Sequence, residues 1–378
     1  MKLRTIKDLT ISQLRNKRVL LRLDLNVPIE EGSIVEPYRI DRSLPTISLL
    51  AKKGAKVIII SHLGDDGKQS LEPVAKYLNK KLRTKFHHNL DAEEAISKMH
   101  PGDVLLLENL RRDPGEKKND EIFSKKLAGL ADLYVNDAFS ACHRTHASIV
   151  GVAKLLPSYA GLLLEQEIEN LEKFFKPLHP FVLILGGVKF STKVPMVDKF
   201  LHSADRIFVG GAIAHTFLRA KGYEIGKSLY EMVPGITRYA HSRKVILPID
   251  MAVEGKKGLA VEKYNEVKKS DVIVDIGPDS MEQIEEAIAG AKFVLWNGPL
   301  GNFEKGYSKA TLDVMRALAK TKAFAVIGGG DTVSAVSHLN LENKISFVST
   351  GGGAMLEFLA SGGKLPGIEA IRRSRKVI

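Results

Sequence analysis

The chain has 378 residues, more than one hydrophobic core usually supports, so its length predicts two domains. Its composition, 44% hydrophobic and 26% charged, is ordinary for a globular protein, and no apolar run is long enough to cross a bilayer. The formal net charge of +12 fits a basic surface or an anionic substrate. Its lysines are scattered without interleaved aromatic residues, which argues against nucleic acid as the main partner. With a single cysteine, Cys142, and no apolar signal block in residues 1–22, we expect a cytoplasmic protein without a membrane partner.

Short runs of Val, Ile and Leu alternate with amphipathic stretches of helical length along the whole chain. This alternation predicts strands buried on both faces, and therefore parallel sheets covered by helices. The predicted strands are 19–23, 57–60, 104–107 and 133–135 in the first half, then 181–185, 207–209, 245–247, 272–274, 293–296, 324–327 and 345–348.

The series of strands is too long for one sheet unit, and prolines bracket a helical stretch at 162–175 in its middle. We therefore predict an α/β fold of two Rossmann-like parallel-sheet domains joined by a helix, with the C-terminal tail returning to the N-terminal domain. The predicted N-terminal domain is 1–157 together with the tail 360–378. The interdomain helix is placed in 158–177 and the C-terminal domain in 178–359.

The strand ends of the first half carry charged and hydrogen-bonding side chains. Ligands of open parallel sheets bind beyond the carboxyl ends of the strands, so these side chains are the candidate site. Arginine forks bind carboxylate and phosphate oxygens, and neighbouring Asp and Asn side chains can bind a hydroxyl group. The pattern predicts a small anionic substrate with phosphate and hydroxyl groups. Its candidate residues are Asp24, Asn26, Arg39, His62, Arg111 and Arg144.

The strand ends of the second half carry glycine instead. Glycine lets backbone N–H groups approach phosphate oxygens, and a helix that begins there adds a favourable field. Glycine clusters recur at Gly186-Gly187, Gly210-Gly211, Gly328-Gly329-Gly330 and Gly351-Gly352-Gly353. This predicts a nucleotide-binding half, in which Asp331 is the candidate ligand for magnesium, a cation that prefers oxygen.

Taken singly, each of these signals has an ordinary explanation. A Gly-Gly pair is usually a tight turn, a lone arginine is usually a solvated surface residue, and an aspartate such as Asp24 can cap a turn. Gly226-Lys227-Ser228 is not a P-loop, because Gly222 stands one residue too close and the segment follows a predicted helix. The order of the motifs along the chain therefore carries more weight than any one of them.

Read in order, the motifs resemble the phosphoglycerate kinase family over nearly the whole chain. The N-terminal segments that carry the resemblance are Arg22-Leu23-Asp24-Leu25-Asn26-Val27-Pro28, Ser61-His62-Leu63-Gly64, Leu107-Glu108-Asn109-Leu110-Arg111 and His143-Arg144-Thr145-His146. The C-terminal segments are Leu185-Gly186-Gly187-Val188-Lys189, Trp296-Asn297-Gly298-Pro299-Leu300-Gly301, Gly328-Gly329-Gly330-Asp331-Thr332 and Ser349-Thr350-Gly351-Gly352-Gly353.

The resemblance implies roles for these residues. It places 3-phosphoglycerate, or 1,3-bisphosphoglycerate, on the six N-terminal candidates. It places ADP or ATP with Mg²⁺ on a second set, in which Asp331 is the metal ligand and Glu304 binds the ribose. For catalysis it favours Arg39, Lys193 and the amides of Gly352 and Gly353. The second set is Gly186, Gly187, Lys189, Lys193, Gly211, Asn297, Pro299, Glu304, Gly330, Asp331 and Thr332.

The chain departs from the family pattern at several places. Asp65-Asp66 stand where the family usually has Arg-Pro. An acid there would weaken the positive potential of the anion pocket unless its loop points away from that pocket. Ser140 and Ala212 each stand in place of a frequent glycine, and Arg112 replaces a bulky residue. These departures bear on affinity more than on activity, since the main anchor residues are present.

The implied reaction is reversible transfer of a phosphoryl group from 1,3-bisphosphoglycerate to ADP, by a protein expected to act as a monomer. The residues alone leave two other classes of protein open. One is a different ATP-dependent kinase of small molecules on the same architecture, which a panel of phosphorylated acids would distinguish. The other is a binding protein that uses its basic surface on nucleic acid, which steeply salt-dependent DNA affinity without phosphoryl transfer would reveal.

Overall fold

The computed structural model describes residues 3–339 and 341–375, without the side chains of Ser191, Thr192, Asp331, Ser337, His338 and Glu342. The chain forms two compact units, one of Met1–Glu169 with Gly363–Ile378 and one of Asn170–Gly362. The division falls within a single helix, Leu162–Glu172, which the sequence predicts as the connector. No helix among the described residues has the length and apolarity that a membrane span requires.

The first unit is built on a six-stranded parallel sheet. Its strands in chain order are β1 (Arg18–Leu23), β4 (Lys56–Ile60), β5 (Thr84–His87), β6 (Val104–Leu107), β7 (Leu133–Asp137) and β8 (Ser158–Ala160), while β2 (Ile29–Glu30) and β3 (Ser33–Ile34) form a small antiparallel pair. The sheet order is β5-β6-β4-β1-β7-β8. Strand β1 is central because five of its six residues are buried and it pairs with β4 and β7 on either side.

Helices cover this sheet and bury two apolar clusters, one on each side. They are α1 (Ile11–Leu14), α2 (Tyr38–Lys52), α3 (Glu72–Lys81), α4 (Glu93–Ser97), α5 (Gly115–Lys118), α6 (Glu121–Gly129), α7 (Val152–Leu155) and α8 (Leu162–Glu172). The C-terminal helix α16 (Pro366–Arg373) also belongs to this unit, where Ile368 and Ile371 are fully buried. Backbone hydrogen bonding ties it in place, since Gly367 N–H donates to the Cys142 carbonyl oxygen at 2.8 Å.

The second unit also has a six-stranded parallel sheet, ordered β11-β10-β9-β15-β16-β17. Its strands are β9 (Phe181–Leu185), β10 (Arg206–Val209), β11 (Val245–Ile246), β15 (Phe293–Asn297), β16 (Phe324–Gly328) and β17 (Phe347–Val348). Its helices are α9 (Phe190–Phe200), α10 (Gly211–Ala220), α11 (Ile236–Ala240), α12 (Pro278–Gly290), α13 (Lys309–Lys320), α14 (Gly330–Leu339) and α15 (Gly353–Ala360). The two parallel sheets confirm the predicted α/β class.

Three further strands of the second unit form a separate antiparallel sheet, ordered β13-β12-β14. They are β12 (Asp250–Gly255), β13 (Gly258–Lys263) and β14 (Val272–Ile276). The sequence predicts 272–274 as one more strand of the parallel series, and this was wrong, because β14 pairs antiparallel with β12. A run of buried apolar residues identifies a strand but does not identify its partner.

Candidate functional site

The acidic and amide side chains after β1 are locked to neighbouring elements in the first unit. Asp24 is buried, and its Oδ2 accepts a hydrogen bond from Arg39 in the first turn of α2 at 3.0 Å and another from Ser140. Asn26 Oδ1 accepts from the Gly64 N–H at 2.9 Å. The predicted residues that follow β1 and β4 therefore share one hydrogen-bonded network, and the departure at Ser140 is part of it.

His62 lies deep in this network as a neutral imidazole. Arg22, which is 1% exposed, donates from its guanidinium to His62 Nδ1 at 2.9 Å, so Nδ1 accepts and Nε2 carries the proton. Burial lowers the pKa of His62 well below its ordinary value, and the positive charges of Arg22, Arg111 and Arg144 lower it further. The histidine can therefore donate one neutral hydrogen bond from Nε2.

The arginines of the site form a cluster of positive charge. Burial lowers the pKa of Arg144, and the charge of Arg111 contributes further. Burial lowers the pKa of His146 to about 4, and Arg144 and Arg111 again contribute. The Arg111 side chain is only 2% exposed, and its buried Nε–H has no hydrogen-bond partner among the residues that the structure describes. A buried, partnerless donor among like charges is the environment of an anion-binding site.

Glycines bring three chain segments into close contact in the second unit. The Gly186 N–H donates to the Asn297 carbonyl oxygen at 3.0 Å and the Gly187 N–H to that of Pro299 at 2.7 Å. Gly211, at a φ of +56°, donates from its N–H to the Leu300 carbonyl oxygen at 2.8 Å. We call Gly186, Gly187 and Gly211 with the segment 297–300 the glycine frame. It brings predicted nucleotide-binding residues together where β9, β10 and β15 end.

A cavity of about 530 Å³ opens beside these glycines. Gly187, Gly211, Pro299 and Glu304 line it, and Glu304 is exposed on a short 3-10 turn. Several further lining residues are not among the predicted site residues, although Lys227 lies in the segment rejected as a P-loop and Asp275 follows a predicted strand. They are His215, Lys227, Leu229, Pro248, Met251, Asp275 and Phe303.

Two of the missed residues have shifted pKa values. Burial lowers the pKa of His215 to about 4, and its Nδ1 lies 2.8 Å from the Leu229 carbonyl oxygen, to which it donates. Burial raises the pKa of Asp275 to about 6, although its carboxylate accepts from the Ala310 and Ile276 N–H groups. Asp275 follows a predicted strand, so its position was the available signal.

Lys193 and Asn297 form the polar side of the glycine frame. Lys193 is 5% exposed, and its Nζ donates to the Asn297 carbonyl oxygen at 2.8 Å and to the Asn297 side-chain oxygen. Asn297 Nδ2 is buried, and within 3–339 and 341–375 it has no hydrogen-bond partner. Thr332 is fully buried and accepts from the Gly298 N–H at 3.1 Å. Neither Lys193 nor Asn297 lines the cavity.

The remaining candidates lie on loops and helix starts. Lys189 is exposed just before α9, Gly330 opens α14, and Gly352 precedes Gly353 at the start of α15. Gly352 has a φ of +50°, which favours glycine, and a Cβ atom at Gly352 or Gly353 would meet nothing within 4 Å. The space beside these two glycines at the start of α15 is therefore open to a ligand. The side chain of Asp331, the candidate metal ligand, lies outside the described residues.

An arginine cluster at the strand ends of one α/β unit and a glycine frame beside a cavity in the other define a class, the nucleotide-dependent phosphotransferases that act on small anions. The sequence matches the family model described as phosphoglycerate kinase over residues 6–362. A phosphoglycerate kinase of Pseudothermotoga lettingae is 44% identical, with 100% of both chains covered.

Solved structures agree with the sequence comparison. The structure of phosphoglycerate kinase from Coxiella burnetii has a TM-score of 0.84 and 37% identity, and covers 99% of this chain and 100% of its own. That from Pyrococcus horikoshii has a TM-score of 0.89 and 32% identity, and covers 98% of each chain. The chain belongs to the phosphoglycerate kinase family. It is a glycolytic kinase, a phosphotransferase whose acceptor is a carboxyl group.

Proposed function

We propose that the first unit holds 3-phosphoglycerate or 1,3-bisphosphoglycerate on Asp24, Asn26, Arg39, His62, Arg111 and Arg144. The observation that carries this assignment is the buried Arg111 guanidinium, whose Nε–H has no partner among the described residues and which lies among other positive charges. Arginine forks suit the phosphate and carboxylate of this substrate, and Asp24 and Asn26 can accept from its hydroxyl group.

The second unit holds ADP or ATP in our proposal, with the nucleoside in the cavity between the glycines and Glu304. Lys189, Lys193, Gly330 and Thr332 then contact the phosphates. An anionic group nearby is supported by the buried Asn297 Nδ2, which has no hydrogen-bond partner in the part of the chain that the structure describes. Asp331 would hold Mg²⁺, since a carboxylate beside a glycine loop offers the oxygen that this cation prefers. When bound, the metal neutralises charge on the nucleotide phosphates.

The reaction needs positioning and charge neutralisation rather than a general base. The carboxylate of 1,3-bisphosphoglycerate is a good leaving group, and the terminal phosphate oxygen of ADP is already anionic. Arg39, Lys193 and the amides of Gly352 and Gly353 would stabilise the negative charge of the transferring phosphoryl group. Lys193 Nζ donates to the Asn297 carbonyl oxygen at 2.8 Å, and in our proposal the lysine exchanges that partner for phosphate oxygens during the cycle.

Because the two substrates are assigned to different units, the reaction requires a hinge-bending step that brings them together and excludes water. We place the substrate domain at 1–157 with the tail 360–378, the connecting helix in 158–177 and the nucleotide domain at 178–359. We further propose that the protein acts as a monomer in the cytoplasm, where the buried thiol of Cys142 stays reduced.

The test is a coupled assay for ATP-dependent phosphorylation of 3-phosphoglycerate, run beside a panel of other phosphorylated acids with and without Mg²⁺. We expect turnover with 3-phosphoglycerate that requires the metal. Preference for another acid of the panel would refute the substrate assignment, and full activity after removal of Mg²⁺ with a chelator would refute the metal.

A further inference from the structure

The loop after β4 carries Asp65, one of the departures from the family pattern, and both of its ends are fixed. Gly64 and Gly67 have φ values of +64° and +76°, which favour glycine. The Gly64 N–H donates to Asn26 Oδ1 at 2.9 Å. Gly67 lies so close to Arg111 that a Cβ atom would overlap the Arg111 carbonyl oxygen. The loop therefore holds Asp65 at one place against the anion site.

Asp65 forms an ion pair with Arg111 through its Oδ1 atom. The two partners differ in exposure, since the Asp65 side chain is 89% exposed and that of Arg111 is 2% exposed. The Arg111 guanidinium also donates a hydrogen bond to the Gly64 carbonyl oxygen, which belongs to the same loop as Asp65. The carboxylate thus lies between the buried guanidinium and solvent, on the side from which a dissolved anion would reach it.

The surrounding charges keep Asp65 ionised at neutral pH. Hydrogen bonding and the charge of Arg111 lower the pKa of Asp65, and Arg144 and Lys117 add smaller effects of the same sign. Lys117 also donates from Nζ to the Asp65 carbonyl oxygen. A negative group of the protein itself therefore occupies part of the positive cluster that the substrate is proposed to use.

We propose that Asp65 is an internal competitor for the substrate anion. Its carboxylate pairs with one terminal nitrogen of Arg111, and a phosphate or carboxylate group of 3-phosphoglycerate must displace it to bind at that nitrogen. Asp65 therefore weakens substrate affinity and raises KM without entering the chemistry. This inference rests on the proposed function, in which Arg111 binds the substrate. The exchange replaces one anion by another, so its cost is modest and falls on binding alone.

The experiment compares Asp65→Asn with Asp66→Asn as the matched control. Asp66 is the adjacent acid and pairs with Lys68 at 3.4 Å, so its removal changes net charge equally without touching Arg111. The dissociation constant of 3-phosphoglycerate is measured by calorimetry on nucleotide-free protein at fixed ionic strength, together with kcat and KM. In D65N we expect both constants to fall about two- to fivefold, the range for an ion pair whose carboxylate is in contact with solvent, with kcat unchanged. In D66N we expect no change beyond error.

Unchanged or weaker binding in D65N would overturn the inference, and so would an equal gain in D66N, which would reduce the effect to net charge. Asp65→Ala also removes the carboxylate, so it should tighten 3-phosphoglycerate binding as D65N does. Thermal unfolding checks that each variant is folded. Arg111→Ala distinguishes failure of the competitor role from failure of the site assignment. If R111A loses 3-phosphoglycerate while D65N binds it as the wild type does, only the competitor role fails. If R111A binds it normally, the site assignment itself fails.

Discussion

Asp24 anchors the candidate anion site at the scale of single residues. Its buried carboxylate holds Arg39 at 3.0 Å and accepts from Ser140, so the guanidinium is oriented before any substrate arrives. Pre-organised charge lowers a barrier because no reorganisation is needed at the moment of transfer. The network therefore makes Arg39 the first residue to test for catalysis.

We expect Arg39→Ala to lower kcat by about 10²–10³-fold, the loss typical when one charge-stabilising group is removed. Arg42 is the matched control, since it lies one turn further along α2 and donates to Gln166 at the surface. Steady-state kinetics should show Arg42→Ala close to the wild type. Near-normal turnover in R39A would contradict the proposed role of Arg39.

Asp275 gives a prediction for pH. Burial raises its pKa from 3.8 to about 6, so between these values the unfolded carboxyl is ionised while the folded one keeps its proton. Unfolding then releases a proton, and the contribution of Asp275 to stability falls as pH rises from about 4 to about 6. Urea unfolding at several pH values should show this slope in the wild type relative to Asp275→Asn. The same pH dependence in both proteins would contradict the assignment.

At the scale of elements, the glycine turn after β9 depends on contact between backbones. A Cβ atom at Gly186 would overlap the Pro299 carbonyl oxygen and lie 2.7 Å from that of Gly298. Gly186→Ala must therefore displace the loop after β15, and we expect it to weaken ADP binding by at least tenfold. Gly290→Ala, at the end of α12 with open space around it, should bind ADP normally. Calorimetric titration with ADP measures the affinity of both variants. Tight binding of ADP by G186A would contradict the proposal that the glycine frame forms the nucleotide site.

Helix α16 depends on a glycine contact of a different kind. A Cβ atom at Gly367 would lie 2.8 Å from Ile149 Cγ2 and 3.1 Å from Cys142 Cα. We expect Gly367→Ala to destabilise the protein by about 1–3 kcal/mol, the usual cost of overpacking. Gly129→Ala, at the end of α6 with nothing within 4 Å, should be neutral or stabilising. Denaturant unfolding measures both, and equal stability of the two variants would contradict this packing argument.

The sequence predicts those strands that are continuous buried runs of apolar residues. Strands such as β1 and β9 are continuous apolar runs and were located correctly. Strand β5 was missed because it reads Thr-Lys-Phe-His and is half exposed at the sheet edge. Strands β12 and β13 were missed as well, and five of the six residues of β13 are exposed. A strand at a sheet edge, or one with many exposed residues, lacks the continuous apolar run by which we identify strands in the sequence.

The candidate site was predictable where strand ends carry recognisable side chains. Asp24 and Arg111 follow that rule, whereas the pairing of Asp65 with Arg111 depends on how a loop with two left-handed glycines folds back. Likewise His215 lines the cavity from the middle of α10, and its hydrogen bond is to the carbonyl oxygen of Leu229, which lies outside that helix. Contacts between segments distant in sequence leave no pattern in either segment.

At the scale of the whole molecule, each unit has its own sheet and its own proposed ligand. Ligand binding stabilises a folded state by mass action, by about 2.7 kcal/mol at a hundredfold excess over the dissociation constant. We expect 3-phosphoglycerate to slow amide hydrogen exchange mainly in 3–169 and 363–375, and ADP with Mg²⁺ mainly in 170–362. Mass spectrometry of proteolytic fragments measures this. Reversed or evenly spread protection would contradict the division of substrates.

The return of α16 to the first unit has a consequence for biosynthesis. A ribosome makes the chain from the amino end, yet the unit that begins there is completed only when residues 363–375 emerge, after the whole second unit has been translated. The second unit is continuous in sequence and can finish folding on the nascent chain earlier. Until then Ile149 and Cys142 lack the turn around Gly367 that packs on them, so the half made first is the half finished last.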